Sequence, residues 1–193
     1  MRAMAAFLLL AAARPAAAAT LLVEVRDLRG AAVQGAVVYA VPEAKAPPPP
    51  SRRAVLDQKN RMFVPHVLPI QTGTAVAFPN SDNVRHQVYS FSPVKRFQLP
   101  LYAGTPAAPI VFDRAGVVTV GCNIHDQMSA HIVVVDTPHF AVTAQGRVEL
   151  TGLPDGNYEV RVWHEGARDQ LLPQPIRLSP DERKTLTFQV GNK

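Results

Sequence analysis

Cysteine is almost missing from this chain of 193 residues: it occurs once, at Cys122. A single thiol excludes an internal disulfide framework, a multi-cysteine zinc site and an iron–sulfur cluster held by this chain alone. Charge of one sign is also scarce. The 20 Lys+Arg stand against 15 Asp+Glu, a formal +5 with no Lys/Arg-rich run, which argues against a nucleic-acid partner. No window past the N-terminus approaches the roughly 18 apolar residues of a membrane span. No stretch shows the 3.6-residue apolar period of a long helix. What is plentiful is proline, 18 residues, about twice the usual share, in a chain that still has ample apolar surface for a core.

The N-terminus reads as an export signal, residues 1–19. Arg2 supplies a positive charge, Ala5 to Ala13 an apolar run, and Ala17-Ala18-Ala19 a small-residue cleavage site, with Thr20 as the expected first mature residue. The apolar run is too short to cross a bilayer, so a periplasmic protein that does not span the membrane is expected. An exported lone cysteine faces an oxidising compartment and is therefore either deeply buried or committed to chemistry such as metal ligation.

The rest has the rhythm of short strands between turns. Leu21 to Val25 and Ala36 to Val41 are β-segments, and residues 43–60, with Pro47 to Pro50 and Arg52-Arg53, read as a proline-rich linker. From Arg61 to Asp136 strands are expected at Phe63–Ile70, Thr74–Phe78, Gln87–Phe91, Ile110–Phe112, Val117–Cys122 and His131–Val135. They follow at Phe140–Thr143, Arg147–Leu150, Tyr158–Trp163, Ile176–Leu178 and Thr185–Val190, with turns at Gln145-Gly146 and Pro154-Asp155-Gly156-Asn157. The class is all-β: a Greek-key β-sandwich plus a second small β-sandwich module.

The chemistry concentrates in Gly121-Cys122-Asn123-Ile124-His125-Asp126-Gln127-Met128, where a thiolate, an imidazole and a thioether follow an apolar strand. With a second imidazole from another strand this is the His₂Cys set with a weak axial Met that holds a mononuclear blue copper. Soft sulfur favours Cu(I), imidazole suits both oxidation states, and Met is a poor zinc ligand. His86 enters a strand after the Phe78-Pro79-Asn80-Ser81-Asp82 turn and is the candidate second imidazole. His66 and His131 read as strand residues, His139 and His164 as structural, and Met62 and Trp163 as core.

Residues 62–136 resemble a cupredoxin with the ligand spacing of the amicyanins, on the Cys-x2-His-x2-Met loop and the Phe-x-Asn stretch before the first His. The stretches Val88–Ser92, Gln98–Tyr102 and Gly121–Met128 are similar to plastocyanin-like proteins labelled methylamine utilisation proteins. The resemblance implies His86, Cys122, His125 and Met128 as ligands of one copper ion. It also implies electron transfer with redox proteins such as a c-type cytochrome or a dehydrogenase. Gln87 stands where cupredoxins commonly carry Asn, and Asp126 where amicyanins carry Pro. Both departures bear on the partner more than on the metal.

Leu22 to Val38 and Val142 to Val160, with Gly152-Leu153-Pro154-Asp155-Gly156-Asn157-Tyr158, resemble a carboxypeptidase-regulatory-like β-sandwich. The expected organisation is therefore residues 20–42 with 139–191 as a discontinuous sandwich, and 61–136 as the copper domain inserted into it. A periplasmic electron carrier, not an enzyme, is the leading expectation. The alternatives are a copper-delivering carrier and a scaffold or adhesion protein with a vestigial copper site.

Overall fold

The computed structural model describes residues 18–44, 52–106, 108–169 and 171–191, and among them there is no helix. Most of the stretch expected to be an export signal, and the Pro47 to Pro50 run, lie outside the described residues. The strands are β1 (Ala19–Asp27), β2 (Val37–Pro42), β3 (Arg53–Val55), β4 (Asp57–Lys59), β5 (Met62–Val64), β6 (Val67–Gln71), β7 (Thr74–Ala77), β8 (His86–Ser90) and β9 (Phe97–Tyr102). They continue with β10 (Ile110–Phe112), β11 (Gly116–Gly121), β12 (Ser129–Val135), β13 (Phe140–Val142), β14 (Arg147–Leu153), β15 (Gly156–Trp163), β16 (Gln174–Leu178) and β17 (Arg183–Val190).

Alternation explains how they layer. In β1, Leu21, Val23 and Val25 are fully buried and the residues between them are not, so β14-β1-β17 turns one face inward. That face packs against β13-β2-β15-β16 through Val38, Ala40, Val160, Val162 and Leu178. A second core lies between β10-β7-β3 and β6-β12-β11-β8-β9, joining Val76 and Phe112 to Val88, Val118, Val120 and Ile132. Each pair of sheets is a sandwich.

The two sandwiches also touch. Val133 and Val135 of β12 pack against Val37 of β2, with Tyr39, Val67, Phe140 and Trp163 around them. Strand β12 is thus buried on both faces, and its unbroken Ile132-Val133-Val134-Val135 run reflects that double duty. Strand β2 alternates likewise, Val38 and Ala40 facing one core and Val37 the other.

Some elements differ from the sequence expectation. The stretch 43–60 is linker only in part, because β3 pairs with β7, β4 pairs with β5, and Leu56 between them is fully buried. The expected Phe63–Ile70 strand is two, β5 and β6, broken at Pro65-His66. Met62 is 54% exposed rather than core, since the alternation of β5 buries Phe63 instead. Strand β9 was hidden by Pro100, which lacks the N–H a ladder needs. It is tolerated because β9 is a sheet edge, as are the proline-bearing β6 and β16. Strand β1 opens at the fully buried Ala19, so a cut before Thr20 would remove the strand's first residue.

The β13–β14 turn depends on one glycine. Gln145 and Gly146 have φ of 51° and 73°, both in the left-handed region a tight hairpin uses. A Cβ on Gly146 would lie 2.8 Å from Ala32 Cβ and 2.9 Å from the Val25 carbonyl oxygen, which is backbone and cannot turn away. Gly146→Ala is therefore expected to cost about 2–3 kcal/mol, combining backbone strain with overpacking. Urea unfolding beside the wild type measures it.

Candidate metal centre

Strand order brings the expected ligands together. Strand β11 lies between β12 and β8, so the β11–β12 connection carrying Cys122, His125 and Met128 passes the end of β8, where His86 sits. The connection is a short bend fixed by the Met128 N–H donating to the His125 carbonyl at 2.9 Å and the Ser129 N–H donating to the Gln127 carbonyl at 3.1 Å.

One ligand atom each from His86, Cys122 and His125 lies within 4.8 Å of the other two. A single ion with bonds of about 2.0–2.3 Å can bridge such a set. His86 and Cys122 are buried and His125 is half-buried, and the two imidazole rings stand 5.2 Å apart at 62°. His86 Nδ1 is 4.0 Å from Cys122 Sγ. Met128 is 1% exposed and lines the same recess as Cys122, together with Tyr89 and Phe91.

The residue that sequence reasoning missed is Asp82. Its Oδ2 lies 2.7 Å from His86 Nε2, so that ring nitrogen donates to the carboxylate and the Nδ1 lone pair is left facing the thiol. This is the second contact by which proteins orient a metal-binding imidazole. Asp82 also accepts the Asn60 N–H at 2.5 Å and the Arg61 N–H at 2.9 Å, clamping a β4–β5 turn in which both residues have positive φ. Burial pulls the Asp82 pKa upward, but the hydrogen bonds from Arg61, His86 and Asn60 outweigh it and hold the carboxyl below its ordinary range. Its contribution to stability is complete above the unfolded carboxylate range and fades as the pH falls through the lowered pKa. The signal was present as an aspartate four residues before the histidine, in a turn.

Other residues fix the loop before His86. Asn80 Nδ2 donates to the carbonyls of Val84 and Tyr102 at 2.9 Å each, and its Oδ1 accepts the Asp82 N–H at 3.0 Å. The Tyr102 hydroxyl donates to the Phe78 carbonyl at 2.6 Å and is also bonded to the Gln58 amide. Burial pushes its pKa up to about 12, so it remains a donor. His139 and His164 lie outside this cluster. The His139 pKa is lowered by burial, and His164 Nδ1 accepts the Gly166 N–H at 3.2 Å.

The donor set fits a soft or borderline transition metal, and one orphaned atom makes the case: His125 Nδ1 is buried and has no hydrogen-bond partner. Buried polar nitrogens are nearly always paired. Asp82→Asn keeps the shape but weakens the hold on the His86 ring. It is expected to loosen metal binding about 10–100-fold, as losses of such orienting partners do, checked by competition with a chelator of known affinity.

No family model matches the chain, and no curated protein matches it. Solved structures do. A Cu-containing nitrite reductase from Thermus scotoductus SA-01 is 27% identical over 48% of this chain and 24% of its own, with a TM-score of 0.40. The chain thus spans about a quarter of that enzyme. An amicyanin variant in its Cu(I) form is 20% identical over 50% of this chain and 99% of its own, with a TM-score of 0.39. A purple cupredoxin from Nitrosopumilus maritimus is 22% identical over 44% of this chain and 100% of its own, with a TM-score of 0.38. The chain is all-β among the described residues, and the solved structures to which it is similar include cupredoxins and a copper enzyme.

Proposed function

We propose that this chain is an exported type 1 copper protein that passes single electrons between redox proteins. His86, Cys122 and His125 would hold the metal, with the thioether of Met128 as a weaker fourth donor. The observation that carries the reading is the unpartnered, buried His125 Nδ1 beside a thiol and a second imidazole whose lone pair Asp82 has aimed inward. A buried nitrogen left so costs about 1–3 kcal/mol, and ligation offsets it.

Copper bound there supplies a one-electron couple. The chain's residues set its conditions. Cys122 offers the soft donor, and the clamp from Asp82 to His86 and the Asn60-Arg61 turn keeps the cage from rearranging between oxidation states. Water is kept from His86, Cys122 and Met128 by burial at 0%, 4% and 1% exposure. His125, half-buried beside the 53% exposed Ile124, would hold the metal at its most exposed edge, which suits exchange of electrons with a partner such as a c-type cytochrome or a dehydrogenase. The strands of residues 20–42 and 139–191 form a scaffold module that packs on the metal-binding unit through Val37, Val133 and Val135. Among the described residues no helix is long and apolar enough to cross a membrane.

The test is the visible absorption and EPR spectrum after adding Cu(II). An intense thiolate-to-copper charge-transfer band with narrow hyperfine splitting, reversibly bleached by reductant, is the expected result. A colourless protein or a weak signal without sulfur character overturns the assignment.

A further inference from the structure

A second cluster of metal-ligating side chains lies at the contact between the two sandwiches. His66 comes from the β5–β6 connection, His131 from β12, and Glu165 from the turn after β15. The first two belong to the central sandwich and the third to the outer one. Their ligand atoms lie within 4.8 Å of one another. The His131 N–H donates to the His66 carbonyl at 2.9 Å, so the two histidines are also tied through the backbone. The Glu165 turn is fixed by the Ala167 N–H donating to the His164 carbonyl at 3.1 Å.

With both rings neutral, the hydrogen-bond arithmetic at this cluster does not close. His66 Nδ1 lies 3.0 Å from the Ser129 carbonyl oxygen, which can only accept, so this nitrogen carries the proton. In a neutral ring Nε2 is then a bare lone pair, yet it faces Glu165 Oε2 at 2.8 Å. The same carboxylate oxygen lies 3.3 Å from His131 Nε2. His131 Nε2 can donate its proton to that oxygen while its Nδ1 accepts from the Thr119 hydroxyl at 3.3 Å, so the unmatched nitrogen is His66 Nε2, which needs a second ring proton or a metal ion. An Nδ1–H held by a backbone carbonyl with Nε2 aimed at a carboxylate is also how a ligating histidine is oriented.

We propose that His66, His131 and Glu165 form a second metal site that takes a borderline divalent ion of the zinc type. Two imidazoles and a carboxylate supply three positions of a tetrahedron. With side-chain exposures of 47%, 18% and 43%, the cluster leaves the fourth open to water. The site contains no sulfur and so differs in metal preference from the Cys122 cluster. It does not depend on how that cluster functions. Because Glu165 is the ligand from the outer sandwich, the ion clamps the two halves. The ring of Trp163, the chain's sole tryptophan, lies 5.2 Å from that of His131 and gives the site a built-in optical reporter.

The experiment is a zinc titration of the full chain carrying Cys122→Ser, followed by calorimetry and Trp163 emission. The expected result is one zinc per chain with a saturable change in emission. Adding Glu165→Gln, or separately His66→Gln, should weaken binding by about tenfold or more. Ring-proton NMR of the unmutated chain provides a reading that no misfolded variant can spoil. Zinc should shift the His66 and His131 signals, which have no part in the Cys122 cluster. Failure to bind zinc in Cys122→Ser, retained affinity in both added variants, or unmoved His66 and His131 signals overturns the proposal and leaves a proton-bridged ion triad.

Discussion

Cys122→Ser is expected to abolish the intense visible band of the copper-loaded chain outright. Its affinity for Cu(I) should fall by more than about 100-fold, beyond the 10–100-fold that loss of a mere orienting partner brings. The reasoning is electronic rather than steric. Serine nearly matches cysteine in size, so the buried position, 4% exposed, still fills. A hydroxyl is a harder donor, and at neutral pH it does not ionise as a thiol beside a metal does. His86 and His125 remain, so Cu(II) binding with an ordinary nitrogen-and-oxygen spectrum should survive in part. Absorption, EPR and chelator competition on the two proteins decide it. Unchanged colour in the serine variant would remove Cys122 from the ligand set.

The largest expected effect on stability lies on the other sheet of the central sandwich. Phe112→Ala should destabilise that sandwich by about 3–5 kcal/mol, the usual cost of emptying a buried aromatic site. Phe112 is 1% exposed in the three-residue strand β10, which pairs with β7 alone. Its ring meets Phe97 edge-on at 6.1 Å, and Phe97 in turn lies 5.4 Å from Phe78. So short a strand has few ladder bonds, and the loss of packing falls on one anchor. The imidazoles of His86 and His125 face each other rather than these phenylalanine rings, and Cys122 and Met128 meet the same core only as its far members. The copper spectrum should therefore be preserved while hydrogen exchange accelerates in β7 and β10. An unfolding midpoint equal to that of the wild type would show that the site collapses around the missing ring.

What could be read in the sequence follows from the range of the physics involved. Alternation is local, so the strands containing Val23, Val88, Val120 and Val160 were legible, as was the three-donor run from Cys122 to Met128. The role of Asp82 was not, because it depends on a carboxylate bending back on the Asn60-Arg61 turn and on His86 at once. Strand β9 was obscured because proline forbids a central strand and permits an edge one, and position in the sheet is not local information. Strands β3 and β4 were hidden by the adjoining proline run, although Leu56 and Phe63 were there to anchor them. His66, His131 and Glu165 are unremarkable one at a time. Only the contact between the sandwiches brings them together.

The pairing of β1 has a consequence for how the chain is made. Its neighbours are β14 and β17, with Val25 in register with Phe188, whereas the central sandwich is complete by Val135. At about 5–20 residues per second, β1 waits roughly ten to thirty seconds for β17. During that delay the central sheets can close around their own core, while an apolar strand with open backbone groups on both sides remains without its lawful neighbours. The inner unit can thus be completed before the outer one, whether the chain folds as it is made or as it leaves an export channel. The interval in which it is open to mispairing with other chains is set by the distance along the polypeptide between Val25 and Phe188.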